Sequence, residues 1–158
     1  MAAAEELLTH YRQLAGREVA VGDWLQMDQQ RIDAFAEATG DLQWIHIDPQ
    51  RAAAESPYGS TIAHGFLTLS LLPLLTQANA AGQFEKNYPG MRLRVNYGLN
   101  KVRFPAPVRP SDRLRARTTV LSAEPAGAGV EIIYLLTVEV EGSEKPACVA
   151  EQVIRVYP

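Results

Sequence analysis

The sequence predicts an α+β fold, a curved antiparallel sheet wrapped around a long central helix. Three observations predict it. The first half of the chain spaces its apolar residues as helices do, and from Leu93 onward the period changes to two. Residues 62–81 are apolar nearly all round, with Phe66, Leu67, Leu69, Leu71, Leu72, Leu74 and Leu75 among them. A half-apolar sheet and an all-apolar helix both need cover, and curling one around the other supplies it.

The elements follow in order. Leu7, Leu8, Tyr11 and Leu14 share one face of a helix over 4–14. Residues 18–27 hold a short strand or two around Gly22. Asp28 caps a helix over 29–38, with Ile32, Phe35 and Ala36 facing inward, and Gly40 ends it. Residues 41–47 form a connection or irregular turn. Asp48 and Pro49 start another short helix, since aspartate caps well and proline suits the first helical position. Residues 56–60 are a loop. The central helix then occupies 62–81, buried on most faces, and Pro73 kinks or divides it.

Leu93, Val95, Tyr97 and Leu99 alternate with polar residues before the apolar parity passes to Val102 and Phe104, which predicts a bulge near Asn100 and Lys101. Leu114, Ala116, Thr118 and Val120 mark the next strand. Val130, Ile132, Tyr134, Leu136, Val138 and Val140 mark another, and residues 149–157 the last. A single curled sheet leaves edges and an outer face, so pairing with a second copy is expected.

A length of 158 residues fits one domain spanning 1–158. The formal charge of −3 speaks against a dedicated nucleic-acid binder. One stretch departs from that balance: between Met91 and Arg117 lie eight basic residues and one acid, Asp112. Such a patch attracts an anionic ligand, or simply solvates strand faces. Cys148 is the only cysteine, which excludes an internal disulfide and points to a reducing compartment. Residues 1–14 lack the basic start and apolar run of a signal peptide, and residues 62–75 are too short and mixed to span a bilayer. A cytoplasmic protein without a membrane partner is expected.

The chemistry concentrates in Gly40-Asp41-Leu42-Gln43-Trp44-Ile45-His46 and Ala63-His64-Gly65. A carboxylate and an imidazole stand five residues apart, with a helix amino end nearby. An acid, a base and unpaired backbone N–H groups can together run proton transfer on a carbonyl compound. Each residue also has a plainer reading: Asp41 as a turn cap, His46 as a structural histidine, Gly65 as a close-packing glycine. His64 shapes the helix start or hydrogen-bonds locally, His10 is a surface residue, Asp48 an N-cap, Ser70 a polar core residue and Cys148 a core residue. His46 and His64 show no metal-ligand spacing, so no metal is expected.

Gly40-Asp41-Leu42-Gln43-Trp44-Ile45-His46-Ile47-Asp48-Pro49, followed by His64-Gly65 and an apolar helix, resembles the MaoC-like, (R)-specific enoyl-CoA hydratase family of the hot-dog fold. Gln43 and Trp44 stand where that family usually has Asn and Pro, a variant that looks like the nodulation protein N-like subgroup. The resemblance implies reversible addition of water to a trans-2-enoyl-CoA, giving a (3R)-3-hydroxyacyl-CoA. It places the catalytic pair on Asp41 and His46 and the oxyanion donor on the Gly65 N–H. It also implies acyl-CoA as substrate; the second copy expected from the sheet edges makes a homodimer, and no cofactor is expected. Coenzyme A phosphates need cations, and Lys101, Arg103 and Arg109 are the candidates. The acyl chain is expected in an apolar tunnel lined by Phe35, Trp44 and Leu67. A hot-dog thioesterase would carry its carboxylate on or beside the central helix, yet residues 62–81 hold no Asp or Glu. A non-catalytic acyl-CoA-binding subunit would have lost the Asp41–His46 pair, which this chain keeps.

Overall fold

The computed structural model describes residues 2–158. Helix α1 (Ala2–Leu14) leads into two short strands, β1 (Glu18–Val21) and β2 (Leu25–Gln26). Helices α2 (Gln29–Thr39), α3 (Trp44–Ile47) and α4 (Pro49–Glu55) follow, then α5 (Gly65–Ser70), α6 (Leu72–Leu75) and α7 (Gln83–Asn87). The remainder is four long strands, β3 (Leu93–Arg103), β4 (Arg113–Ala126), β5 (Gly129–Val140) and β6 (Cys148–Tyr157). All pairings are antiparallel, in the order β1-β4-β5-β6-β3, with β2 also on β4.

The expected caps are present. The Asp28 carboxylate accepts the Arg31 N–H at 2.7 Å, and Gly40 ends α2 with φ 79°, a left-handed conformation that glycine adopts without penalty. Asp48 accepts the Arg51 N–H at 2.9 Å at the start of α4. The stretch expected to be an irregular connection contains the single turn α3.

The central helix is shorter than its apolar run. It begins at Gly65, stops at Leu75 and is interrupted at Leu71. Pro73 has no N–H to offer the carbonyl one turn back, so the segment divides ahead of it. Burial covers only part of its circumference. Leu67, Thr68, Leu72 and Leu75 face the core, whereas Phe66 is 69% and Leu74 53% exposed, contrary to the expectation of a helix buried on most faces. Ser70, expected in the core, is exposed and donates its hydroxyl to the Phe66 carbonyl.

Helix α5 packs against β6 and α6 against β4, so the sheet embraces the helical segment. Even-numbered residues of β5 from Val130 to Val140 are buried, as their alternation predicts. They form the core with Ile32, Leu67, Leu72, Leu114, Ile154 and the buried Cys148.

Strand β3 departs from the pattern. Leu93 and Val95 pair with Tyr157 and Arg155 on the outer face, while Arg94 pairs with the buried Val156 and faces inward. The register shifts twice, between Asn96 and Gly98 and between Leu99 and Val102; the second is the bulge expected near Asn100 and Lys101. Leu93, Val95, Tyr97 and Leu99 are all more than a third exposed. Half of the basic patch is ion-paired among the described residues. Arg115 and Arg117 both reach Glu139 at 2.6 Å, Arg113 pairs with Glu141 at 3.0 Å and Lys101 with Glu151 at 3.6 Å.

Candidate active site

His46 lies in the turn α3, which cannot hold itself in place. The side-chain amide of Gln29, the first residue of α2, donates to the His46 carbonyl at 2.7 Å. The hydroxyl of buried Thr61 donates in turn to the Gln29 side-chain amide oxygen, Oε1. The Ile62 N–H donates to the Ile45 carbonyl at 3.1 Å. Three segments far apart in the chain are thereby stitched around one ring.

Nδ1 of His46 lies 2.7 Å from the Ile62 carbonyl. A carbonyl can only accept, so Nδ1 carries the proton and Nε2 is left with its lone pair. Burial pushes the His46 pKa below its ordinary 6.5, and the nearby His64 lowers it further; the Ile62 hydrogen bond and the Asp41 charge oppose that shift. The ring is therefore a neutral base near pH 7.

Asp41 sits just past the Gly40 cap, with its side chain exposed. The His64 ring binds its backbone, with Nε2 donating to the Asp41 carbonyl at 3.0 Å. His64 stacks on His46 with ring centroids 3.7 Å apart and planes 25° from parallel, and Phe35 meets the His64 ring at a tilt, with centroids 5.0 Å apart. His64 occupies the position before α5 and hydrogen-bonds locally, as expected, but its contribution to placing Asp41 is not apparent from spacing. Its Nδ1 is buried without a hydrogen-bond partner among the described residues.

A carboxylate oxygen of Asp41 and one ring nitrogen from each histidine lie within 4.8 Å of one another. The fold thus gathers three metal-type donors that sequence spacing kept apart. Two hydrogen bonds of about 2.8 Å meeting at a tetrahedral angle span roughly 4.6 Å, so one water fits between Asp41 and a ring nitrogen.

Gly65 is the first residue of α5, and its N–H meets no acceptor among the described residues. The Phe104 ring lies directly against it: a Cβ on Gly65 would stand 2.9 Å from Phe104 Cδ2. Phe104 also meets Phe66 edge to face at 6.3 Å. The tunnel-wall residues expected from sequence occupy separate environments. Phe35 covers His64, Trp44 carries the Arg51 guanidinium 4.4 Å above its ring, and Leu67 belongs to the core. Arg103 donates to the Val102 carbonyl and Arg109 to the Tyr58 carbonyl, and both are exposed, as is Lys101.

Residues 11–139 match the family model for the MaoC like domain. The chain belongs to the MaoC-like hydratase/dehydratase family. It is 51% identical over 142 residues to 3-hydroxyacyl-thioester dehydratase Z of Mycobacterium tuberculosis, covering 89% of each chain. It is 44% identical over 142 residues to Nodulation protein N of Rhizobium leguminosarum bv. viciae, covering 85% of this chain and 81% of that one. Its hot-dog fold is shared with an (R)-hydratase from A. caviae, with a TM-score of 0.64 and 22% identity over 89% of this chain and 98% of the other. The stretch of this MaoC-like chain from Asp41 to Gly65 lies inside the matched residues. Gln29, Thr61 and Phe104 complete the site, and none of them carries a signal in the sequence that would single it out.

Proposed function

We propose that the protein is an (R)-specific enoyl-CoA hydratase, interconverting trans-2-enoyl-CoA and (3R)-3-hydroxyacyl-CoA. The observation that carries this reading is the His46 tautomer. With Nδ1–H committed to Ile62, Nε2 is free to take a proton, and a nitrogen of this ring lies within 4.8 Å of an Asp41 carboxylate oxygen. In the hydration direction, Asp41 and His46 hold one water, and Nε2 removes a proton as the oxygen bonds to the β-carbon. The electron pair of the double bond moves toward the thioester oxygen. Its negative charge faces the Gly65 N–H at the start of α5, an effect worth about 3 kcal/mol per donor in comparable sites. The proton then returns from the pair to the α-carbon, so the elements of water end on adjacent carbons.

Lys101, Arg103 and Arg109 serve the coenzyme A phosphates in this reading, and Arg103 adjoins the Phe104 ring that lies over Gly65. Trp44, on the turn that carries His46, contacts the acyl part. A homodimer completes the molecule. Support comes from the exposed apolar residues of the edge strand β3 and from Phe66. Sedimentation at micromolar concentration is expected to give a dimer, and a monomer throughout would remove that part of the proposal.

Crotonyl-CoA tests the activity. Loss of the enoyl absorbance without release of free thiol is expected, and thiol release would instead identify a thioesterase. Because burial holds His46 neutral, kcat/KM should persist as pH falls through 6.5 and decline only on the acid side of it. A decline centred above pH 6.5 would exclude His46 as the titrating base.

A further inference from the structure

At the other end of the central helical segment lies a cavity that the hydration chemistry does not use. Its volume is about 600 Å³, within the range of small-molecule pockets. Thr76, just past α6, lines it, eleven residues beyond Gly65, and neither Asp41, His46, His64 nor Gly65 is among its lining residues.

Three buried phenols form one wall. Tyr11 and Tyr88 stack with centroids 5.9 Å apart, and Tyr134 meets Tyr11 edge to face at 6.2 Å. The Tyr11 hydroxyl donates to the Asn87 carbonyl at 3.0 Å. The Tyr88 and Tyr134 hydroxyls lie 3.0 Å apart and share one hydrogen bond, and the Tyr11 oxygen stands beside both as a further acceptor. Burial raises the pKa of all three phenols, which keeps them protonated donors.

The rim is cationic. Arg17, Lys86 and Arg94 line the cavity, and none forms an ion pair among the described residues. The one carboxylate there, Glu18, is engaged by Arg117 at 3.0 Å. Arg94 faces inward because β3 turns its polar residues to the core side at this point, and its charge reaches Tyr11 and Tyr88. A helix-facing strand position filled by arginine, beside protonated phenols, is an arrangement that a packed core does not need.

We propose that this cavity is a second ligand site, separate from Asp41 and His46, that takes a monocarboxylate with a compact apolar body. The carboxylate pairs with Arg94 and competes as an acceptor for a proton of the phenol cluster, the apolar part lies along the tyrosine rings, and Arg17 and Lys86 bias entry toward anions. The site stands on its own geometry and does not depend on which reaction the dyad performs.

Sodium octanoate is the probe, with octan-1-ol as the neutral counterpart, titrated into the full chain labelled at its tyrosine rings. Saturable shifts are expected for Tyr11, Tyr88 and Tyr134 but not for Tyr58 or Tyr97. Arg94→Gln should weaken octanoate about tenfold. Arg17→Gln with Lys86→Gln, on exposed positions that do not endanger folding, should weaken it less and remove most of its salt dependence. His46→Gln should leave it unchanged. The proposal is overturned by the absence of saturable shifts, by octan-1-ol binding as well as octanoate, or by loss of binding in His46→Gln with retention in Arg94→Gln.

Discussion

Replacing His46 by glutamine is expected to lower crotonyl-CoA hydration by a factor of roughly 10² to 10⁴, the usual worth of a positioned general base. Glutamine keeps an N–H for the Ile62 carbonyl, so the turn that carries it should hold. Its amide cannot take a proton at neutral pH, and that is the property removed. The decrease should fall on kcat, because in the proposed mechanism the imidazole acts on water and not on coenzyme A. Circular dichroism should be unaltered and the melting temperature close to that of the parent. Turnover equal to the parent in the pure variant would take His46 out of the mechanism. Removing a buried histidine also changes the response to acid. With its folded pKa below 6.5, His46 stays neutral while the unfolded chain picks up a proton, so its contribution to stability decreases as pH falls below 6.5. The glutamine variant should lose less stability over that interval.

The largest effect on stability is expected at Gly22. A Cβ there would stand 2.1 Å from the Leu75 carbonyl oxygen, far inside contact distance. Neither side can yield easily. The Gly22 N–H is bonded to the Ala116 carbonyl at 2.9 Å, and Leu75 closes the buried end of α6. Gly22→Ala should therefore cost about 3 kcal/mol, at the upper end of overpacking. For a chain of this size that is roughly 6–12 °C of melting temperature. Gly98→Ala provides the contrast, since an added Cβ there meets nothing within 4 Å. Equal melting temperatures for the two variants would contradict the account of how β1 and α6 approach one another.

Much of this architecture was legible in the chain because local chemistry and tertiary packing agree. Asp28 with Gly40, and Asp48 with Pro49, bound their helices by backbone geometry that acts within a few residues. The alternation of β5 survives because that strand lies between two neighbours with one face against the core. Strand β3 misleads because it is an edge: its apolar residues face away from the core, and periodicity cannot say which face is which. Helix α7 lies in a polar stretch with no buried residue and carries no periodic signal. Within the site, Asp41 and His46 were readable from their spacing. The participation of His64 depends on a ring stacked across eighteen residues of sequence, and that of Gln29 on a hydrogen-bond chain through Thr61. Such contacts exist only once the tertiary structure has formed.

The two irregularities of β3 have a consequence for how this strand tolerates changes of length. Each adds a residue that flips the side on which everything downstream points, and Phe104 reaches Gly65 only after both. Deleting one residue between Leu93 and Phe104 would turn that aromatic ring to the opposite side of the sheet and away from Gly65. The exposed turn at Gly142 and Ser143 bears no such arithmetic, so insertions there should pass unnoticed by the reacting groups.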